Sequence, residues 1–271
     1  EMSASLVGSE MCIRDRALTL ESMIKVDKQL RCKRCYSQIE EDWQLPEGQY
    51  YCRACIVFGR NQEGKELYYF PSKTSEIEFP VLKWLGELTP YQAEVSEKLL
   101  ETYQKQKDSL VHAVTGAGKT EMIYKIVAYV LGNKGRVAIA SPRVDVCREL
   151  FLRMQRDFTC SISLLHAESE PYDGSPLVIA TTHQLLKFYQ NFDLVIVDEV
   201  DAFPFVGNVM LNHAVEQAKK ETGRYIYLTA TSTISLEEQV RLGTLEKHHL
   251  ARRFHGNPLV LPKFCWQGRL Q

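Results

Sequence analysis

The chain has 271 residues, 45% hydrophobic and 25% charged, enough to bury a full α/β core and leave room for a small accessory module. Its 33 Lys and Arg against 34 Asp and Glu give a formal net charge of -1, so any contact with a polyanion has to be local rather than a property of the whole surface. No run of about 18 apolar residues occurs, so no segment reads as a membrane-spanning helix.

In chain order, residues 1–29 read as a leader. Glu1–Arg16 lacks the positive start and continuous apolar run of a secretory signal, and Glu10–Arg16 resembles translated sequencing-adapter text, so this stretch is set aside as non-native in appearance. Residues 30–60 carry Cys32-x-x-Cys35 and Cys52-x-x-Cys55, the spacing of a structural four-thiolate zinc site. So short a segment cannot bury a core unaided, and Zn²⁺ would supply the missing folding energy; disulfides are the competing reading. Arg31, Lys33, Arg34, Tyr51 and Arg53 beside the knuckles are either a DNA-contacting face or a solvated basic one. Cys147, Cys160 and Cys265 lie in apolar surroundings and read as core or indifferent thiols, a pattern that fits a reducing cytosol. Residues 61–86 read as a connector with strand potential at Leu67–Phe70, interrupted by Pro71 and Pro80.

Residues 87–250 read as an α/β domain. Short β-branched runs at Leu110–Val114, Val137–Ala140, Leu177–Ala180, Leu194–Val197 and Tyr225–Leu228 predict strands of a parallel sheet buried on both faces. Between them, helices are predicted over Gln92–Tyr103, Lys119–Leu131, Val144–Asp157, His183–Tyr189, Asn208–Lys220 and Ser235–Leu242. The alternation predicts an open, doubly wound α/β sheet with helices on both faces, which binds ligands beyond the carboxyl ends of its strands.

The first strand runs into Ala113-Val114-Thr115-Gly116-Ala117-Gly118-Lys119-Thr120. Small residues let successive N–H groups of Thr115, Gly116, Ala117 and Gly118 face a phosphate at the start of a helix. Lys119 supplies a full charge to the β- and γ-phosphates, and the Thr120 hydroxyl can ligate Mg²⁺. Ala113 stands where the usual pattern begins with Gly. The strand Leu194–Val197 ends in Asp198-Glu199-Val200-Asp201, where Asp198 is placed to hold the metal and Glu199 to orient or deprotonate the attacking water.

These elements, with Thr229-Ala230-Thr231 at the end of a later strand, resemble superfamily 2 helicases and translocases over roughly residues 87–260. The resemblance implies that Gln92 in Leu88–Gln92 reads the adenine of ATP, and that Ser141, Pro142, Arg143, Thr181, Thr182 and His183 contact single-stranded DNA. It also implies that Thr229, Ala230 and Thr231 couple the nucleotide site to strand movement. Arg143 could hold phosphates without reading sequence, whereas the threonines could equally be helix caps or a capped turn. A zinc knuckle just ahead of such a domain, together with Ala113–Met122 and Arg252–Leu259, resembles the late competence ATPases of DNA uptake in Gram-positive bacteria. Their partners would be single-stranded DNA, a membrane DNA-uptake channel and other late competence proteins, met at the inner face of the cell membrane. Primosomal replication-restart helicases are similar at the phosphate loop, but carry their zinc cysteines after the first motor domain. A zinc-dependent DNA-binding module with an ATP switch is a third reading. Residues 251–271 are expected to form a linker towards a second RecA-like domain, so this chain is expected to bind ATP but hydrolyse it poorly alone.

Overall fold

The computed structural model describes residues 17–71, 77–114, 116–201, 205 and 207–250. Thr115, residues 1–16 and residues 251–271, with the expected linker, Arg252–Leu259 and Cys265, lie outside the described residues.

The N-terminal part is built from three two-stranded antiparallel sheets. Strand β1 (Leu18–Glu21) pairs with β6 (Glu66–Tyr69), β2 (Met23–Val26) with β3 (Gln29–Cys32), and β4 (Tyr51–Cys52) with β5 (Asn61–Gln62). Residues expected as leader and connector thus enclose the four-cysteine segment. The Ser22 hydroxyl donates to the Gln62 carbonyl at 2.5 Å, and Asn61 Nδ2 donates to the Ser22 carbonyl at 2.8 Å, closing the ends together.

Helix α1 (Pro90–Gln104) follows, opened by a capping box. Thr89 and Gln92 satisfy each other's orphan N–H groups, and proline begins the helix where its missing donor costs nothing. Strand β7 (Asp108–Ala113) leads to a helix predicted as continuous over Lys119–Leu131, which instead divides into α2 (Lys119–Met122) and α3 (Tyr124–Gly132). The division falls at Ile123, whose ψ of -9° loosens the turn.

Next come β8 (Val137–Ser141), α4 (Val144–Asp157), β9 (Ile162–Leu165), β10 (Leu177–Thr181), a 3-10 turn at Thr182–Lys187, and β11 (Phe192–Asp198). Helix α5 (Val209–Ala218), β12 (Lys219–Thr229), α6 (Ile234–Arg241) and β13 (Leu245–Leu250) complete the described chain. The helix expected to reach Lys220 stops at Ala218. Lys219 pairs with Phe192 on β11, and Lys220 Nζ is held 2.8 Å from the Asp193 carboxylate, so both lysines serve the sheet.

The seven strands order as β13-β7-β12-β11-β8-β10-β9, every pairing parallel. Alternation along each strand sends Val137, Ile139, Leu194 and Ile196 to one face and Ala138, Ala140, Val195 and Val197 to the other. Leu99, Ile126 and Met154 from α1, α3 and α4 cover the first face. Leu211, Val215 and Leu236 from α5 and α6 cover the second, together with the N-terminal module. A fully buried side chain such as Leu99 contributes about 2 kcal/mol of transfer free energy. Because all strands are parallel, their carboxyl ends share one edge, and the polar motifs collect there.

Candidate functional site

At that edge β7 gives way to a turn in which Ala117 N–H donates to the Val114 carbonyl at 3.1 Å. Gly116 and Gly118 sit at φ +78° and +72°, a region where a side chain costs about 1–2 kcal/mol, so these two glycines are what the turn requires. A Cβ on Gly118 would also fall well inside contact distance of Gln92 Nε2 and 3.3 Å from Glu121 Oε2. Gln92 is buried, and its amide is committed to the loop rather than turned outward: Nε2 donates to the Ala117 carbonyl at 2.8 Å, while Oε1 accepts from Thr89 N–H at 2.9 Å. Lys119 and Thr120 follow at the first turn of α2, both half-buried.

Asp198 ends β11 opposite Leu228 of β12. Burial raises its pKa; the Lys119 ammonium opposes this and the neighbouring Glu199 adds to it. Glu199 follows at φ +55°, donating its N–H to Asp198 Oδ1 at 3.0 Å. Its Oε2 is buried without a hydrogen-bond partner. A desolvated carboxylate next to an orphaned carboxylate oxygen is a donor set suited to a divalent cation and its bound water. Thr120 and Asp198, expected from the sequence to hold Mg²⁺, lie at the first turn of α2 and the end of β11.

Asp201 closes the acidic box and ties it to the Thr229–Thr231 turn. Thr229 Oγ1 donates to Asp201 Oδ1 at 2.5 Å, and Thr231 Oγ1 donates to Asp201 Oδ2. Burial alone would push Asp201 up, yet the two hydroxyls hold its carboxyl below the usual range. The turn is held from the other side by His112 of β7, whose Nε2 lies 3.0 Å from the Ala230 carbonyl and donates to it. Sequence reasoning identified the box and the turn but gave Asp201 and His112 no part; a lone histidine inside a buried strand carries no signal of its partner.

The residues expected to meet nucleic acid lie at neighbouring strand ends. Ser141 and Thr181 are register partners on β8 and β10, with Pro142, Arg143, Thr182 and His183 directly following. Arg143 is exposed and pairs with Asp145 at 2.5 Å. Thr182 Oγ1 is buried without a partner, and partial burial lowers the pKa of His183.

The second site is the cysteine cluster. Cys32, Cys35, Cys52 and Cys55 are fully buried, and their Sγ atoms all lie within 4.8 Å of one another. The separations of Cys32 from Cys55 (3.7 Å), Cys35 from Cys52 (3.5 Å) and Cys52 from Cys55 (3.7 Å) are too long for a disulfide. They approach the edge of about 3.8 Å that a tetrahedron with Zn–S of about 2.3 Å demands, so the four thiols fit zinc. Asn61 Nδ2 donates to Cys32 Sγ at 3.1 Å, a second-layer contact from a residue that sequence reasoning passed over. Arg34 is a strut rather than a free basic group: its Nη1 donates to the Phe58 and Gly59 carbonyls at 3.1 and 2.8 Å. Arg53 is occupied by the Asp42 carboxylate at 3.1 Å. Burial pushes the Cys147 thiol up to about 12 and Cys160 up to about 11, as expected of inert thiols.

The DEAD/DEAH box helicase family matches residues 89–239, more than half of the chain, and the chain belongs to it. Within that class it is similar to the competence protein ComFA of Streptococcus pneumoniae, with 59% identity over 93% of this chain and 58% of the relative. ComFA of Bacillus subtilis is 35% identical over 99% of this chain and 60% of its own length. The replication restart protein PriA of Bacillus subtilis is 23% identical over 65% of this chain and 24% of its own. The chain therefore spans about three fifths of the competence proteins it matches. Among the described residues no helix is long and apolar enough to cross a membrane.

Proposed function

We propose that this chain is the ATP-binding part of a single-stranded DNA translocase that drives DNA uptake during natural competence. The observation that carries the reading is the meeting of Lys119, Asp198 and the orphaned Glu199 carboxylate at one sheet edge, with Asp201 tied to Thr229 and Thr231. In this reading the backbone of Thr115–Gly118 cradles the phosphates and Lys119 neutralises the charge that grows on them. Magnesium, held by Thr120 and Asp198, supplies further charge neutralisation when bound. Glu199 orients the attacking water and accepts its proton. Gln92, already bonded to the Ala117 carbonyl, links adenine occupancy to the shape of the loop.

Ser141–Arg143 and Thr181–His183 lie where a strand crossing the β8 and β10 ends would meet them, and Thr229–Thr231 would relay its position to the acidic box through Asp201. Zinc in the four-cysteine cluster is structural, since four thiolates leave no open position. We divide the chain into a zinc module, an ATP-binding domain and a linker, and propose that this stretch, about three fifths of the length of its competence relatives, binds ATP but turns it over slowly by itself. The higher identity with the competence proteins than with PriA supports uptake over replication restart. Lys119→Ala in the full-length protein tests the reading: DNA uptake and ATP turnover should both be lost. Transport that survives the loss of nucleotide binding would leave only a switch, and strand displacement on forked DNA would favour a restart helicase.

A further inference from the structure

The two carbonyls inside the first knuckle, Lys33 and Arg34, are not spent within the module. His213 Nε2 lies 3.1 Å from the Lys33 carbonyl, and Gln217 Nε2 donates to the Arg34 carbonyl at 3.0 Å. His213 and Gln217 stand one turn apart on α5, so the helix presents them as a two-pronged donor. The His213 ring also stacks on Tyr36, centroids 5.1 Å apart and planes inclined by 25°. On the second knuckle, Lys187 Nζ sits 5.9 Å from the centre of the Phe58 ring. The module's cysteines and the apolar face of α5 belong to one continuous buried cluster.

We propose that His213 and Gln217 are positioning residues that lock α5 onto the metal-loaded Cys32-to-Cys35 turn. The metal knuckle thereby splints the wall of the ATP site. Position in the chain makes this consequential: α5 begins at Val209, a short stretch after Asp201, and β12, which follows α5 directly, ends at Thr229. In this proposal a shift of α5 is felt at the Asp201 link, which lies between the residues before α5 and the end of β12. Backbone bonds from Lys33 N–H to the Ser22 carbonyl and from Tyr36 N–H to the Cys32 carbonyl shape that turn, and two sulfurs on one ion would fix the directions of the Lys33 and Arg34 carbonyls further; without the ion the turn loses that restraint and holds the two donors less well. Coupling of this kind is reciprocal, so what the metal gives to α5 the docking of α5 returns as metal retention. The inference rests on the zinc reading of the cysteines and is independent of which nucleic acid is moved.

The test is zinc release from the purified protein to a chromogenic chelator. His213→Phe keeps a ring on Tyr36 but removes the donor, and Gln217→Glu replaces the donor with an acceptor of the same shape. Each should release zinc about fivefold faster than wild type, the worth of one net hydrogen bond. Hydrogen exchange on the wild-type protein, which needs no variant to fold, is the second measurement. Stripping zinc should expose the amides of residues 209–218 and spare those of 144–157, on the opposite face of the sheet. Unchanged release in both variants, unchanged exchange at 209–218 on zinc removal, or a wild-type protein that binds no zinc would each overturn the proposal.

Discussion

Replacing Gly118 by alanine perturbs the phosphate loop in a way the geometry prices. The φ of +72° costs a non-glycine residue about 1–2 kcal/mol. The new Cβ must also displace the Gln92 amide, which is pinned by the Ala117 carbonyl at 2.8 Å and by Thr89 N–H at 2.9 Å. Losing the bond to Ala117 and half of the capping box adds about 1–2 kcal/mol. The loop must then be rebuilt for nucleotide at a total cost of about 3 kcal/mol, on the order of a hundredfold in affinity. A fluorescent ATP analogue titrated against protein checked for native circular dichroism reads this directly. Gln92→Ala alone should cost about tenfold, and the double variant should bind about as weakly as Gly118→Ala alone, because the amide to be displaced is already gone. Wild-type affinity in Gly118→Ala, or costs that simply add, would refute the reasoning.

Other expectations follow from the same contacts. Glu199→Gln should lower ATP turnover by about two orders of magnitude or more while leaving nucleotide affinity nearly unchanged in the same titration. Asp201→Asn removes the charge that Thr229 and Thr231 share, and should lower urea stability by about 2 kcal/mol and weaken the stimulation of ATP turnover by single-stranded DNA. Asp157 is held below the usual carboxylate range chiefly by Arg156, with burial opposing and the Tyr124 hydroxyl assisting at 2.7 Å. Its contribution is therefore full above the unfolded carboxylate pKa of about 4 and is lost as pH falls further. The gap in urea midpoint between wild type and Asp157→Asn should narrow below that pH, and a constant gap would contradict the assignment.

The buried parallel strands were legible because short β-branched runs such as Leu194–Val197, bounded by turn residues, suit a strand covered on both faces. Helix Val144–Asp157 matched its expected bounds, its apolar positions repeating at helical spacing. What escaped was structure decided by partners. Strand β13 reads Leu-Glu-Lys-His-His-Leu, too polar to announce itself, and is recruited by the free edge of β7. Strand β9 is a short edge piece beside β10. Lys219 and Lys220 suit a helix end by composition, yet Phe192 and Asp193 draw them into the sheet. At the site, the loop, the acidic box and the cysteine spacing are local patterns and could be read. The Asp201 link to Thr229 and Thr231, the His112 bond to Ala230 and the docking of α5 on the first knuckle join residues far apart in sequence. No local pattern encodes them.

The central claim is that the sheet edge bearing Lys119, Asp198 and Glu199 is one wall of an ATP-driven motor on single-stranded DNA. Its most direct test is the ATP turnover of the full-length protein, wild type against Glu199→Gln, with and without single-stranded DNA. The account predicts turnover that rises with DNA in the wild type and is lost in the variant although ATP still binds. Turnover indifferent to DNA, or a Glu199→Gln protein as fast as wild type, would contradict it.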